Sequence, residues 1–139
     1  KFHSNHKYPE IEVIKTYSEL PDLNCYVSEL NQVFLNIICN AIDALREKQE
    51  NKPKITINTS LKDNNNILIS IKDNGIGISK PALNKIFDPF FTTKPVGSGT
   101  GLGLSTSYSI VVEKHRGNLT CVSAPGEGTE FLIELPIKF

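Results

Sequence analysis

No stretch of this chain stays apolar for long enough to cross a bilayer. The longest uninterrupted runs, such as IVV at 110–112, fall far short of the ~20 residues a spanning helix needs, and there is no signal-peptide pattern. Net charge is missing too: 15 Lys and Arg balance 15 Asp and Glu. Non-specific attraction to nucleic acid or anionic lipid therefore gets no support, and any polyanion must be gripped by a local site. Cysteine is scarce and odd in number. Cys25, Cys39 and Cys121 lack metal-type spacing and read as buried thiols of a reducing compartment, not as a disulfide framework. His3, His6 and His115 have no paired spacing with one another or with cysteine, so no structural zinc is expected. Internal repeats and low-complexity tracts are absent. What remains is a chain of 139 residues, 39% hydrophobic and 22% charged, which fits one soluble globular domain.

Residues 1–10, KFHSNHKYPE, are polar and without period, and read as a linker or the edge of an upstream segment; the domain proper is expected over 11–139. IEVIKTY at 11–17 has strand character. From Ser28, a plausible N-cap, Leu30, Phe34, Ile37, Ile38, Ala41 and Leu45 recur at three- and four-residue steps, which predicts an amphipathic helix closed by Asn51-Lys52-Pro53. Alternation at Ile55, Ile57, Thr59 and Leu61, then at Ile67, Ile69 and Ile71, predicts a hairpin. A short helix is expected at 79–86 with Ser79 as cap and Pro81 in its first turn. The 17 residues from Phe87 to Gly103 have no period, a length at which an irregular segment is usually functional or disordered. A further helix follows from Gly103 to a stop at Gly117, and a last hairpin, 118–123 and 129–135, turns through APGEG. Mixed strands and helices with adjacent hairpins predict an α/β (α+β) two-layer sandwich. One mixed sheet would pack about three helices on one face and leave the other open.

Four stretches carry candidate chemistry. GSGTGLGLS places glycines at 97, 99, 101 and 103, yet matches neither the G-x-x-x-x-G-K-[ST] phosphate loop, nor the strand-following dinucleotide fingerprint, nor the eukaryotic kinase loop with its partner motifs. A glycine run entering a helix is either a cradle of bare N–H groups for phosphate or a hinge. In SIKDNGIGIS, Asp73 ends a strand where its carboxylate could accept the exocyclic amine of adenine and repel the oxygen guanine places there; alone, Asp-Asn-Gly is a plain turn. Asn36 and Asn40, four apart, share a helix face beside the apolar stripe. An amide oxygen suits Mg²⁺, but such a pair serves equally to cap a neighbouring loop. IFDPFFTTK can cover a cleft, with Lys94 either on a phosphate or merely solvated.

Order and spacing say more than any one stretch. NIICNAIDAL, DNGIGI, FDPFFTTK and GTGLGLS, closed by GEGTEFLIELP, resemble in turn the N box, first glycine box, F box, second glycine box and final strand segment of the histidine kinase catalytic domain. That domain has the Bergerat-type ATP-binding fold shared with gyrase, Hsp90 and MutL. The resemblance covers residues 11–139.

It implies that Asn40 holds Mg²⁺ bridging the ATP phosphates and that Asp73, helped by Thr129, bonds the adenine amino group. Gly75 and Gly77 would line the base pocket. Gly99, Gly101, Leu102, Gly103 and Leu104 would supply backbone to the phosphates, and Lys94 would contact a phosphate from the lid. Ile78, Thr92, Thr93 and Thr100 complete the implied ATP-binding set. Where related ATPases carry a Glu four residues before the metal Asn, this chain has Asn36, near the γ-phosphate and unable to take a proton at neutral pH. Hydrolysis should then be slow and the γ-phosphoryl reserved for a histidine. No H-E-x-x-x-P-type acceptor segment is present. The implied partners are therefore an upstream dimerisation and phospho-acceptor domain and, through the parent protein, a response regulator. The domain is expected to be a cytoplasmic monomer without nucleic acid or membrane insertion of its own, although the parent can be membrane-tethered. An ATP-holding module without catalysis, and a serine kinase or ATPase on the same fold, are the competing readings.

Overall fold

The computed structural model describes residues 8–49, 51–89, 91 and 103–137. Five strands form one sheet: β1 (Glu12–Tyr17), β2 (Lys54–Leu61), β3 (Asn66–Asp73), β4 (Asn118–Ala124) and β5 (Gly128–Pro136). Their order is β1-β2-β3-β5-β4; β1 runs parallel to β2 and every other pairing is antiparallel, so the sheet is mixed as expected. Register decides which face is apolar. Ile57 pairs with Ile71, Ile71 with Phe131, and Ile133 with Leu119, which places the odd-numbered residues of four strands on one surface. Ile67, Ile71, Leu119, Phe131, Ile133 and Leu135 are each at most 4% exposed there. The even-numbered face carries Lys72 and Thr120 in solvent, with Ser70 bonded to Glu130 and Lys62 paired to Glu134 at 2.8 Å.

Helices cover the apolar face. α1 (Val27–Lys48) buries Leu30, Val33, Ile37, Ala41 and Leu45; four of these belong to the expected stripe, whereas Val33 is not in it and the expected Phe34 and Ile38 are only half-buried at its edge. It starts earlier than Ser28 suggests, with Tyr26 as N-cap in an extended conformation, and that cap has no side-chain hydrogen bond. The reason lies elsewhere in the chain. Buried His115 accepts the Tyr26 N–H on Nε2 at 2.9 Å and meets the Ile110 carbonyl with Nδ1 at 2.9 Å, which makes Nδ1 the protonated nitrogen. The helix ends at Gln49, in the left-handed region at φ 57°, before the expected Asn51-Lys52-Pro53.

α2 (Lys80–Leu83) is shorter than 79–86, but its cap is Ser79, whose Oγ accepts the Ala82 N–H at 3.3 Å. α3 (Gly103–Tyr108) continues as a π-helical segment, Ser109–Lys114, instead of a uniform α-helix up to Gly117. The widening is set by the five-residue bond from the His115 N–H to the Ile110 carbonyl, 3.1 Å. Cys25 and Cys121 are half-buried, whereas Cys39 is exposed, because it falls on the side of α1 opposite the core stripe. Ile133, fully buried in the central layer, measures the core: Ile133→Ala is expected to cost ~2–5 kcal/mol of unfolding free energy in urea titration.

Candidate functional site

Asp73 is the last residue of β3, opposite Thr129 of β5, and only 4% exposed. Its Oδ1 accepts the Gly75 N–H at 2.8 Å. Burial pushes its carboxyl up to about 6, against the pull of the Gly75 and Thr129 backbone N–H groups and the positive charge of Lys48. Cys121 lies on the same sheet face, one step along β4. Burial, and secondarily the Asp73 charge, push its thiol up to about 12, so it stays protonated and unreactive.

The loop after Asp73 is locked from two sides. A Cβ on Gly75 would stand 2.7 Å from the Ala44 carbonyl carbon, and the Ile76 N–H donates to the Ala44 carbonyl at 3.2 Å, so α1 rests directly on this loop. Gly77, at φ +75°, passes so close to the β4–β5 turn that a Cβ would meet the Ala124 carbonyl oxygen at 2.0 Å. Ser123 completes the join. Its Oγ accepts the Ile78 N–H and donates to the Gly128 carbonyl, both at 2.8 Å, which leaves the Thr129 hydroxyl as donor in their 2.8 Å contact. Asp73, Gly75, Gly77, Ile78 and Thr129 are thus brought together at one end of the sheet.

α1 connects that end to α3. Asn36, Asn40, Ala44 and Lys48 are successive four-residue steps, so they lie on one side of the helix. Asn36 Nδ2 donates to the Gly103 carbonyl at 2.9 Å and the Ser107 hydroxyl at 3.1 Å, while Oδ1 accepts from Gln32 at 2.8 Å. Both amide protons are committed, so Asn36 latches α1 to the start of α3. Among the described residues no hydrogen bond engages the Asn40 side chain. It stands between the Asn36 contact with Gly103 and the Ala44 contact with Gly75. Leu104 is half-buried against the core. Thr92, Thr93, Lys94, Gly99, Thr100, Gly101 and Leu102 lie outside the described residues.

Mg²⁺ fits this donor set in one respect. The Asn40 amide offers a hard oxygen, and no group of three or more His, Cys, Asp or Glu able to hold a metal occurs among the described residues. A single protein oxygen, with phosphates and waters completing the shell, is how Mg²⁺ is commonly held. A separate apolar cavity of about 570 Å³ lies between β1–β3 and the first half of α1, walled by Tyr17, Leu20, Phe34, Ile38, Ile57 and Ile69. Ser18, Thr59 and Ile71 complete its lining, which among the described residues holds no Lys, Arg or His. No described helix is long and apolar enough to cross a membrane.

Sequence reasoning passes over Ser107, Ser123, Lys48 and His115. Ser123 was within reach, since alternation puts it on the core face after Leu119 and Cys121, where a hydroxyl needs a partner. The other three act across 26 residues or more and leave no local signature: Ser107 meets Asn36, His115 meets Tyr26, and Lys48 meets Gly126 besides Asn74.

Residues 26–138 match the model of the family described as histidine kinase-, DNA gyrase B-, and HSP90-like ATPase, and the chain belongs to that family. It is 44% identical over 121 residues, 87% of its length, to the signal transduction histidine-protein kinase AtoS of Escherichia coli (strain K12). To sporulation kinase E of Bacillus subtilis (strain 168) it is 39% identical over 120 residues, 86% of its length. It spans only 19% and 15% of those two proteins. The catalytic domain of histidine kinase ThkA, nucleotide free, superposes with a TM-score of 0.78 at 28% identity, covering 93% of this chain and 82% of that one. ShkA full-length in complex with AMPPNP gives a TM-score of 0.76 at 28% identity, covering 91% of this chain and 25% of that one. The mixed sheet with helices on one face is therefore the ATP-binding α/β sandwich of these kinases.

Proposed function

We propose that this chain is the catalytic and ATP-binding domain of a sensor histidine kinase, binding Mg-ATP and donating its γ-phosphoryl to a histidine on a separate dimerisation domain. One observation carries the reading: a desolvated carboxylate, Asp73, walled by protein N–H groups at one end of a helix row whose other end is the start of α3. Adenine has a donor for that carboxylate and guanine has none in the same place. The row from Asn36 to Ala44 spans ~12 Å of helix, over which base and phosphates can lie. Asn40 would turn its amide oxygen to Mg²⁺, which when bound neutralises phosphate charge. Thr129 supports Asp73 through its N–H, and Gly75, Gly77 and Ile78 form the base wall. Thr92, Thr93, Lys94, Gly99, Thr100, Gly101, Leu102, Gly103 and Leu104 are assigned to the phosphates by their motif positions.

Asn36 is the residue that separates a kinase from an ATPase. It has no proton-accepting nitrogen or carboxylate, and its amide protons are spent on Gly103 and Ser107. Water near the γ-phosphate would find no general base there. Transfer to a histidine already carrying its own nucleophilic nitrogen needs positioning and charge stabilisation more than proton removal. Residues 1–10 would link this domain to the acceptor domain, and a response regulator would be reached through the parent protein, in the cytoplasm.

The test is radiolabelled Mg-ATP with the purified chain, alone and with a helical hairpin carrying the acceptor histidine. Transfer to the hairpin with hydrolysis close to background is expected. Tight ATP binding with no transfer would make the chain an ATP-holding module, and rapid hydrolysis without acceptor would make it an ATPase.

A further inference from the structure

Lys48 closes the helix row that begins at Asn36, and its ammonium reaches two loops at once. Nζ donates to the Asn74 carbonyl and to the Gly126 carbonyl, each at 3.2 Å. Asn74 directly follows Asp73, and its own side chain is tied back to β2 through the Lys54 N–H at 2.8 Å and the Lys52 carbonyl at 3.0 Å. Gly126 sits at the tip of the β4–β5 turn and donates its N–H to the Ile76 carbonyl at 2.6 Å. Two loops therefore frame Asp73, and one α1 side chain holds both. We infer that Lys48 is a positioning residue for adenine recognition, bolting the Asp73–Ile78 loop to the β4–β5 turn and supplying the cation that the Asp73 carboxylate faces.

The chemistry asks for a lysine here. A flexible four-carbon stem can climb from the last turn of a helix to carbonyls on two different loops, and an ammonium has three donors to share between them. Methionine keeps the stem and loses both bonds. Arginine keeps the charge and the donors. The groups bearing on the Asp73 carboxylate are Lys48 from α1, the protonated Cys121 thiol from β4, and the Thr129 and Gly75 N–H groups from β5 and its own loop. Of these Lys48 brings the positive charge, so its removal moves the titration of Asp73 further upward. Acid would then extinguish adenine binding at a higher pH than in the parent chain.

This inference rests on the adenine reading of Asp73, and the experiment separates the two. The parent chain, Lys48→Met, Lys48→Arg and Asp73→Asn are titrated calorimetrically with Mg-ATP on either side of pH 6, with magnesium tripolyphosphate as a ligand lacking the base. Lys48→Met is expected to lose ~10-fold in ATP affinity at neutral pH and to show its acid limb at higher pH. Tripolyphosphate should bind it as it binds the parent, and Lys48→Arg should recover most of the ATP affinity. Thermal unfolding reports whether each variant is folded. A folded Lys48→Met with the parent's affinity and acid limb overturns the inference. So does an equal loss for tripolyphosphate, which would put the ammonium on phosphate. Parent-like ATP binding by Asp73→Asn would instead remove the adenine reading itself.

Discussion

Asp73→Asn is expected to lower ATP affinity ~100-fold at neutral pH, the upper range for a hydrogen bond to a charged group, while leaving the nucleotide-free protein as stable as the parent or more so. The two effects have one cause. The Asp73 carboxylate is buried, and its titration is displaced from 3.8 to about 6 because desolvation outweighs the N–H groups and the lysine around it. A folded-state value above the unfolded one means that the native protein holds this proton more tightly. Stability contributed by Asp73 is therefore highest in acid, falls as pH rises from 3.8 toward 6, and stays low above that. An amide has no charge to desolvate, so the gain from Asp73→Asn should be greatest at neutral pH and fade on acidification.

Binding runs the other way. The carboxylate that costs stability is the acceptor for an adenine amine, so parent affinity should drop as pH falls through about 6. In Asp73→Asn that limb should vanish, since neither oxygen nor nitrogen of the amide titrates there. Calorimetric titration with Mg-ATP beside urea unfolding, each repeated across this pH interval, checks both halves. A variant that binds like the parent, or a parent whose affinity ignores pH near 6, would dismiss Asp73 as the base-reading group.

The parts of this molecule that were legible in its sequence are those with a local period or a local cap. The stripe from Leu30 to Leu45, the alternation of Ile67, Ile69 and Ile71, and the Ser79 cap all arise from residues within a turn or two of each other. Errors cluster where a distant residue decides. Tyr26 begins α1 because His115, 89 positions later, receives its N–H, and that same histidine draws the end of α3 into π-helical geometry. The glycines show the same division. The motif fixes their positions, but only packing reveals that Gly75 admits the Ala44 backbone and Gly77 the Ala124 carbonyl. Composition and spacing likewise place Asn36 and Asn40 on one face, yet the spending of Asn36 on Ser107 and Gly103 depends on a segment 67 to 71 residues away.

Gly103 is the exception among these glycines, and Gly103→Ala should separate ligand binding from folding. Gly75 and Gly77 cannot accept a Cβ without striking backbone, so replacing them damages the fold and the site together. At Gly103 the nearest described atom to an added Cβ is Asn36 Cγ at 3.7 Å, an ordinary contact, and Gly103 is not among the residues at positive φ. Alanine also suits the first turn of α3 better, by up to ~1 kcal/mol of helix propensity. Nothing in the described protein thus requires a bare backbone at this position. A phosphate lying against it would. A methyl group interposed between the backbone and a bound triphosphate should cost ~1–3 kcal/mol, an affinity loss of ~10- to 100-fold, while the unfolding midpoint holds or rises. The Asn36 and Ser107 bonds to the Gly103 carbonyl survive the substitution, so the latch between α1 and α3 serves as an internal control. Undiminished Mg-ATP affinity in a stable Gly103→Ala would show that the phosphates lie elsewhere, whereas lost stability would assign this glycine to the fold along with Gly75.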